Sequence, residues 1–341
     1  MIIPKFKPEE CSYERCENCL LYPHCETCYQ EICLFQNCDA FCGRCPTRCH
    51  RNPDIDFEQE ADLQRLEYSK PVSPLGAQCA WFPTIRKNSL LRKLSLEVVA
   101  VKFEEIYNFK SNSLRALDLH EFFNLPVKTR IILTFNVPDK ILEKLWLTFR
   151  RGLLTLMFRG LKVDYICSPN FSNYFDTPRY QWWRNIWRGV TMANEFQKLG
   201  YNVIMDASSP VPSTHKYLVS LARRSKVKTL IFNCQTLKLD RHKADARKRM
   251  EYFDALPQDA EFIICGMTSI KEAKPIYEIL HRRIYFTSTS PYLRAICRQS
   301  LRWHYKLNKD PLTLMEEYFN FYNQLHLRLR NAYSNPRKKN G

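Results

Sequence analysis

Short apolar runs alternate with longer amphipathic stretches along most of the chain. The short runs are rich in β-branched and aromatic residues, which is typical of buried parallel strands. They lie at Cys79–Ile85, Val98–Phe103, Arg130–Phe135, Val163–Cys167, Asn202–Met205, Thr229–Phe232, Glu261–Cys265 and Arg283–Phe286. The stretches between the later runs repeat with helical periodicity, at Lys140–Arg159, Arg179–Leu199, Thr214–Ser225, Asp245–Leu256, Ile270–His281 and Pro291–Lys306.

This alternation predicts the α/β fold class, with helices crossing over between parallel strands. Eight strand–helix units would close into a (β/α)8 TIM-barrel-like body, which we predict for residues 78–310. An open doubly wound parallel sheet is the alternative. The amphipathic stretch Pro311–Tyr333 predicts a helix that packs on the barrel or on a protein partner, and a short basic tail completes the segment 311–341.

The first 50 residues differ in composition from the rest, because ten of the fifteen cysteines lie there. These are Cys11, Cys16, Cys19, Cys25, Cys28, Cys33, Cys38, Cys42, Cys45 and Cys49. Three pairs have C-x-x-C spacing, which lets two thiolates bind one metal while the backbone turns. Because the segment has few apolar residues, residues 1–50 are predicted to be a metal-binding module folded by its metal. The charged, proline-containing stretch 51–77 is predicted to be a solvated linker.

The metal is predicted to be an iron–sulfur cluster or zinc, and both stay open. The dense spacing from Cys38 to Cys49 is more typical of iron–sulfur proteins, whereas zinc would need four ligands for each ion. Cys38, Cys42 and Cys45 have C-x3-C-x2-C spacing, which resembles the cluster loop of radical S-adenosylmethionine enzymes. Arg44 stands where those enzymes usually have an aromatic residue, and the motif lies far before the predicted barrel. S-adenosylmethionine is therefore only an alternative cofactor.

A disulfide framework is disfavoured, because the amino terminus lacks the apolar core of a signal peptide. We expect a cytoplasmic protein without membrane attachment, since no run of eighteen apolar residues occurs. Glycine-rich nucleotide motifs of the GxGxxG or GxxxxGK[ST] type are also missing from the sequence.

Candidate chemistry lies where the predicted strands end, because parallel barrels form their sites at the carboxyl ends of their strands. Polar residues follow several runs, among them Ser168, Asn170 and Asp206. Asp206 and Asp176 are the acids near consecutive strand ends, and such a pair could bind Mg²⁺ or exchange protons. The alternative for Asp176 is to cap the helix that begins near Pro178. Asp206, Asn170 and Asp176 are predicted catalytic residues.

Lysine and arginine exceed aspartate and glutamate by 17, which favours a polyanionic partner such as nucleic acid. The predicted contacts are Arg241, Lys243, Arg247, Lys248 and Arg249 after one strand, with Arg188 on a tryptophan-rich helix. Arg184 and Arg188 share a helix face beside Trp183 and Trp187, and aromatic rings next to guanidinium groups can stack on bases. More often, such tryptophans face the core and the arginines cover them.

One stretch resembles a known family. SPNFSNY-D-P, followed by WRN, RG and GYNVI, is similar to a domain-of-unknown-function family of phages, plasmids and other mobile elements, over roughly residues 164–209. The positions that match are Ser168, Pro169, Asn170, Asp176, Pro178, Arg184 and Gly200. The resemblance implies a mobile-element context and adds Arg184 to the predicted catalytic residues. It implies no reaction.

Two functions remain open from the sequence. The first is a metal-cluster protein that binds nucleic acid through a basic face of the barrel. The second is a metal-dependent enzyme that acts on an anionic small molecule or on a nucleic-acid base.

Overall fold

The computed structural model describes residues 66–70, 74–87, 89–172, 179–208, 212–233, 252, 254–266, 270–279, 283–298 and 309–333. The ten cysteines of the predicted metal module lie outside these residues. So do Asp176 and the basic residues Arg241, Lys243, Arg247, Lys248 and Arg249.

The described strands are β1 (Trp81–Ile85), β2 (Val98–Lys102), β3 (Tyr107–Asn108), β4 (Ser113–Leu114), β5 (Arg130–Thr134), β6 (Tyr165–Cys167), β7 (Asn202–Asp206), β8 (Thr229–Asn233), β9 (Glu261–Cys265) and β10 (Ile284–Ser288). The helices are α1 (Phe103–Ile106), α2 (Leu119–Phe123), α3 (Asp139–Arg150), α4 (Leu154–Phe158), α5 (Arg179–Lys198), α6 (Pro212–Arg224), α7 (Ile270–Ile279), α8 (Ser290–Ile296) and α9 (Pro311–Tyr333).

Eight of these strands form a closed parallel barrel in the order β1-β10-β9-β8-β7-β6-β5-β2. The barrel closes because β1 pairs with strands on both of its sides. Trp81 lies opposite Phe286 of β10, and Thr84 lies opposite Ala100 of β2. The predicted (β/α)8 body is therefore confirmed, each of the eight apolar runs overlaps one barrel strand, and the open-sheet alternative is wrong.

Side chains alternate between the inside and the outside of the barrel, as the two-residue repeat of a strand requires. Phe82, Ile132, Ile204 and Ile263 belong to the small apolar cluster inside the barrel. Their neighbours along the strands pack outward against the helices in a larger cluster. Each fully buried side chain of this size contributes about 1.5–3 kcal/mol to folding.

The described outer helices match the predicted ones in position, with two differences. The predicted helix Asp245–Leu256 lies largely outside the described residues. The stretch Lys140–Arg159 forms two helices, α3 and α4, because Gly152 between them adopts a left-handed φ of +70° that ends the first helix. Helix α8 ends at Ile296, before the predicted end. Helix α9 has its predicted bounds and covers β1, where Tyr322 stacks on Trp81 at 5.3 Å between ring centroids.

The sequence did not predict the stretch between β2 and β5. It holds the short hairpin β3–β4 and the short helices α1 and α2. Elements of two to five residues carry too few positions to show a periodicity.

The predicted linker 51–77 is wrong for the part that the structure describes. Tyr68, Leu75 and Ala77 are buried, so this part belongs to the barrel domain. Residues 74–79 cross the amino-terminal end of the barrel, where Gly76 N–H donates to Glu261 and Ala77 N–H donates to the Tyr285 hydroxyl. The segment therefore closes the end of the barrel opposite the strand carboxyl ends.

No helix among the described residues is long and apolar enough to cross a membrane.

Candidate functional site

The carboxyl end of the barrel is lined by polar residues that end the strands and point inward. The alternation that places Ala100, Ile204 and Ile231 inside the barrel also turns Lys102, Asp206 and Asn233 inward. Thr84 and Thr287 occupy the corresponding positions of β1 and β10, and their hydroxyl oxygens are 2.9 Å apart. The inward face is thus apolar in the middle of the barrel and polar at this end.

Asp206 is the titratable group at the centre of this arrangement. Its backbone N–H donates to Ser168 Oγ at 2.7 Å, and its carboxylate accepts the Ser208 N–H at 2.7 Å. Burial raises the pKa of Asp206 to about 7, and the hydrogen bonds from Ser208 only partly oppose the rise. A carboxyl group with this pKa is present in both protonation states near neutral pH, so it can take up or release a proton there.

Two asparagines connect the loops on either side of β6 and β7. Asn233 Nδ2, at the end of β8, donates to Asn136 Oδ1 after β5 at 2.6 Å. The Asn233 backbone N–H also donates to Ser208 Oγ at 2.7 Å, which joins this bond to the Asp206 loop. Three polar loops are therefore held together at the mouth of the barrel.

A cleft opens beside Asp206, between the loops after β6 and β7 and helices α5 and α6. It is narrow, with an enclosed volume of about 30 Å³, which is room for roughly one water molecule. Its polar wall consists of Tyr68, Ser168, Asn170, Asn185, Asp206 and Ser208. The structure thus brings the predicted residues Asn170 and Asp206 to one cleft.

The loop that carries Ser168 and Asn170 is held by a close approach of helix α5. A β-carbon on Gly189 would lie 2.7 Å from the Pro169 carbonyl oxygen, so a side chain there would displace the loop. Asn185 Nδ2 donates to the Ser172 carbonyl at 2.9 Å, and Ser172 Oγ donates to Asp139 at 2.6 Å. Helix α5 therefore holds the described part of the loop at Pro169 and at Ser172.

Arg188 corrects one sequence prediction. It was predicted to contact nucleic acid, but its side chain is only 1% exposed. The guanidinium makes two hydrogen bonds to Glu143, at 2.9 and 2.7 Å, and lies 3.7 Å from the centre of the Phe171 ring. Arg188 is a structural residue that joins α5, α3 and the loop, because its charge is already neutralised inside the protein.

The other predicted residues fall in different places. Arg184 lies on α5, is partly exposed, and is close enough to Arg188 for its charge to affect the pKa of that residue. Burial is the main cause that lowers the pKa of Arg188, and Arg184 adds to it. Asp176 and the basic residues after β8 lie outside the described residues, as do the ten cysteines.

Sequence reasoning missed Lys102. It ends β2, its side chain is 20% exposed, and its nearest anionic partner is Glu104 at 3.8 Å. That contact is too long for a strong hydrogen bond. Strand order places β2 three positions from β7, so Lys102 and Asp206 lie on different walls of the mouth. The alternating pattern within Val98–Phe103 was the signal that could have found it.

Tyr68, Tyr252 and His215 were also missed. The charge of Asp206 adds to the burial that raises the pKa of Tyr68 and of Tyr252, which shows that both phenols lie within electrostatic reach of it. His215 stacks on Tyr252 with ring centroids 4.0 Å apart.

Cys167 is not a ready nucleophile, because burial raises the pKa of its thiol well above the usual value.

No protein-family model matches the chain, and no curated protein has a significantly similar sequence. The resemblance to mobile-element proteins stays a prediction.

Proposed function

We propose that this protein is an enzyme that acts on a small anionic substrate at the carboxyl end of its barrel, with Asp206 as the general acid or base. The observation that carries the proposal is the placement of Asp206. It ends a barrel strand, lines a cleft, and has a backbone fixed by Ser168 and a carboxylate fixed by Ser208. Barrel enzymes of this fold build their sites at this end.

The chemistry of the site supports proton transfer. A general acid or base is most effective when its pKa is close to the working pH, and the pKa of Asp206 is raised to about 7. The neighbouring phenols of Tyr68 and Tyr252 stay protonated at this pH, because burial raises their pKa. They are hydrogen-bond donors and cannot compete with Asp206 as bases.

Lys102 supports an anionic substrate. It is a cation on the inner wall of the mouth, three strand positions from the strand that carries Asp206. The net charge of +17 would further raise the local concentration of anions. A substrate with a phosphate or carboxylate near Lys102 would then present its reacting part to Asp206.

Inorganic phosphate is the simplest probe of the anion site. Calorimetric titration of the full chain should detect phosphate binding that Lys102→Met abolishes and Lys102→Arg retains in part. Lack of binding at millimolar phosphate would remove the anionic substrate from the proposal.

Turnover tests the role of Asp206. Full-length protein purified without oxygen is incubated with nucleotides, sugar phosphates and oligonucleotides, and products are identified by mass spectrometry. Asp206→Asn should lower kcat by about 100-fold or more, because general acid–base catalysis contributes that much, while KM changes little. An active Asp206→Asn variant would refute the role.

We also propose that Cys11–Cys49 bind an iron–sulfur cluster or zinc, on their number and spacing. The ultraviolet–visible spectrum of protein purified without oxygen separates the two, because zinc is colourless. Changing Cys42 and Cys45 to Ser should lower the metal content, and an unchanged metal content would contradict the proposal.

Nucleic-acid binding is the second candidate, favoured by the net charge of +17. If it is electrostatic, affinity falls with salt by a log–log slope of roughly 0.7–0.9 per phosphate neutralised. Replacing Arg247, Lys248 and Arg249 by Ala should flatten that slope. A protein that binds neither DNA nor RNA at low salt leaves only the enzyme proposal.

A further inference from the structure

A short segment before the barrel runs along helices α5 and α6. We call residues 66–70 the strap. Asn194 and Gln197 of α5 each bond twice to its backbone: Asn194 accepts from Ser69 N–H at 2.9 Å and donates to the Glu67 carbonyl at 2.9 Å. Gln197 accepts from Lys70 N–H at 3.0 Å and donates to the Lys70 carbonyl at 2.8 Å. Each carboxamide thus forms two hydrogen bonds with the backbone of the strap.

The other side of the strap is held from the end of α6. Ser225 Oγ accepts the Tyr68 N–H at 2.9 Å, and Arg224 donates to the Leu66 carbonyl at 3.2 Å. A strap held from two helices has little freedom to shift, so the direction of the Tyr68 side chain is fixed as well.

Tyr68 extends from the strap into the cleft. Its residue is 5% exposed, and its hydroxyl donates to Ser168 Oγ at 3.2 Å. The same Ser168 oxygen accepts the backbone N–H of Asp206 at 2.7 Å. One serine oxygen therefore joins the strap to the residue that we propose as the acid or base.

We propose that Tyr68 is a positioning residue for Asp206, acting through Ser168. The inference deepens the proposed function, on which it rests for the role of Asp206. The Tyr68 hydroxyl holds Ser168 Oγ in the orientation that accepts the Asp206 N–H, and this fixes the backbone that carries the carboxyl group. The strap is consequently a part of the site, although it precedes the first barrel strand.

Two further observations support this role. Burial raises the pKa of Tyr68, and the negative charge of Asp206 raises it further, so the two groups interact electrostatically. Tyr68 is also a wall of the cleft that Asn170 and Asp206 line. A side chain needed only for packing would not need its hydroxyl directed at the serine that binds Asp206.

The test uses Tyr68→Phe, which removes only the hydroxyl, in the full chain with its metals. Tyr322→Phe is the matched control, because Tyr322 lies on α9 and stacks on Trp81, away from this cleft. Two quantities are measured by NMR: the exchange rate of the Asp206 amide, and the titration of the Asp206 carboxyl carbon, assigned with Asp206→Asn.

Tyr68→Phe should speed exchange of the Asp206 amide by about tenfold, the effect of one lost hydrogen bond. It should also raise the pKa of Asp206, because the loss of the hydroxyl leaves the buried carboxyl group in less polar surroundings. Tyr322→Phe should change neither quantity. A second variant, Ser168→Ala, should speed exchange similarly, and combining it with Tyr68→Phe should add little, because both act on one bond.

Unchanged exchange and titration in Tyr68→Phe would overturn the inference. A different result would overturn the proposed function, namely a pKa of Asp206 in the wild type close to the ordinary value for aspartate. If exchange still rises in Tyr68→Phe under that outcome, Tyr68 positions the Asp206 backbone and the acid–base role is wrong.

Discussion

Asn233 donates a hydrogen bond to Asn136 across the mouth of the barrel, with 2.6 Å between Nδ2 and Oδ1. Asn233 ends β8 and Asn136 follows β5. Between these strands lie β6, which is followed by Asn170, and β7, which ends at Asp206. The bond spans the strands that build the candidate site. It therefore links the two strands on either side of that site.

Replacing Asn136 tests this bond. Asn136→Leu should lower the free energy of unfolding by about 1 kcal/mol, the net value of a typical hydrogen bond. Asn136→Asp keeps an acceptor oxygen and should lose less. Urea unfolding measures both variants at one pH. Equal losses in the two variants would show that the acceptor at this position does not matter.

Asp206 should make stability depend on pH. Its folded pKa of about 7 lies above the ordinary value of 3.8, so the folded state holds a proton that the unfolded state has released between these pH values. Stability therefore falls as the pH rises through this window, by at most about 1.4 kcal/mol per pH unit from this group. Asp206→Asn should remove this loss of stability. The free energy of unfolding of the variant relative to the wild type should therefore increase from pH 4 to pH 7.

The control for this prediction is the difference in free energy of unfolding between Asp206→Asn and the wild type above pH 8. Asp206 is ionised there in both the folded and the unfolded state, so this difference should not change with pH. A difference that stays the same from pH 4 to pH 7 would contradict a raised pKa of Asp206.

Gly189 tests how the loop after β6 is held. Alanine in a helix interior is normally more stabilising than glycine by about 1 kcal/mol. Here the added carbon would lie 2.7 Å from the Pro169 carbonyl, so we expect Gly189→Ala to destabilise the protein by about 1–3 kcal/mol. Thr191→Ala, two residues further along α5, is the control and should not destabilise comparably. A more stable Gly189→Ala variant would mean that the loop moves without penalty.

His326 should weaken the protein at acidic pH. It is buried on α9 and stacks on Phe286 at 4.4 Å, and burial lowers its pKa to about 4. Between pH 6.5 and pH 4 the unfolded state gains a proton at His326 that the folded state does not, so the contribution of His326 to stability falls as the pH falls, opposite in sign to that of Asp206. In urea unfolding, the difference in stability between the wild type and His326→Phe should therefore change with pH across this window. If the free energy of unfolding depends on pH in the same way in the variant and the wild type across this window, His326 is not held neutral in the folded state.

The barrel was predictable from the sequence, because each of its strands is a short run that is buried on both faces. Such runs stand out as apolar stretches even without any other information. Helix α9 was predictable to its ends, since Pro311 opens it and its apolar residues repeat over 23 residues. The hairpin β3–β4 was not predictable, because two residues in each strand give no repeat.

The site was predictable only in part. Asp206 and Asn170 follow strands and were found by that rule. Lys102 lies within the apolar run Val98–Phe103. A single charged residue near the end of such a run is usually taken to mark where the strand ends, so it was not identified as a site residue. Tyr68 lies in a charged stretch typical of a linker, and only its tertiary contacts with Ser225 and Ser168 show that it belongs to the barrel domain.

Arg188 shows the opposite error. Arginine beside tryptophan on a helix is typical of a nucleic-acid contact, yet Glu143 on another helix neutralises this charge. The sequence cannot show such a partner, because the two residues are 45 positions apart.

The central claim is that Asp206 is an acid or base at the mouth of the barrel, and its own titration tests this most directly. Carbon NMR of the full chain, with the signal assigned by its loss in Asp206→Asn, follows the carboxyl group from pH 3 to pH 9. The account predicts a midpoint near 7. A midpoint near 4, the ordinary value for aspartate, would contradict it.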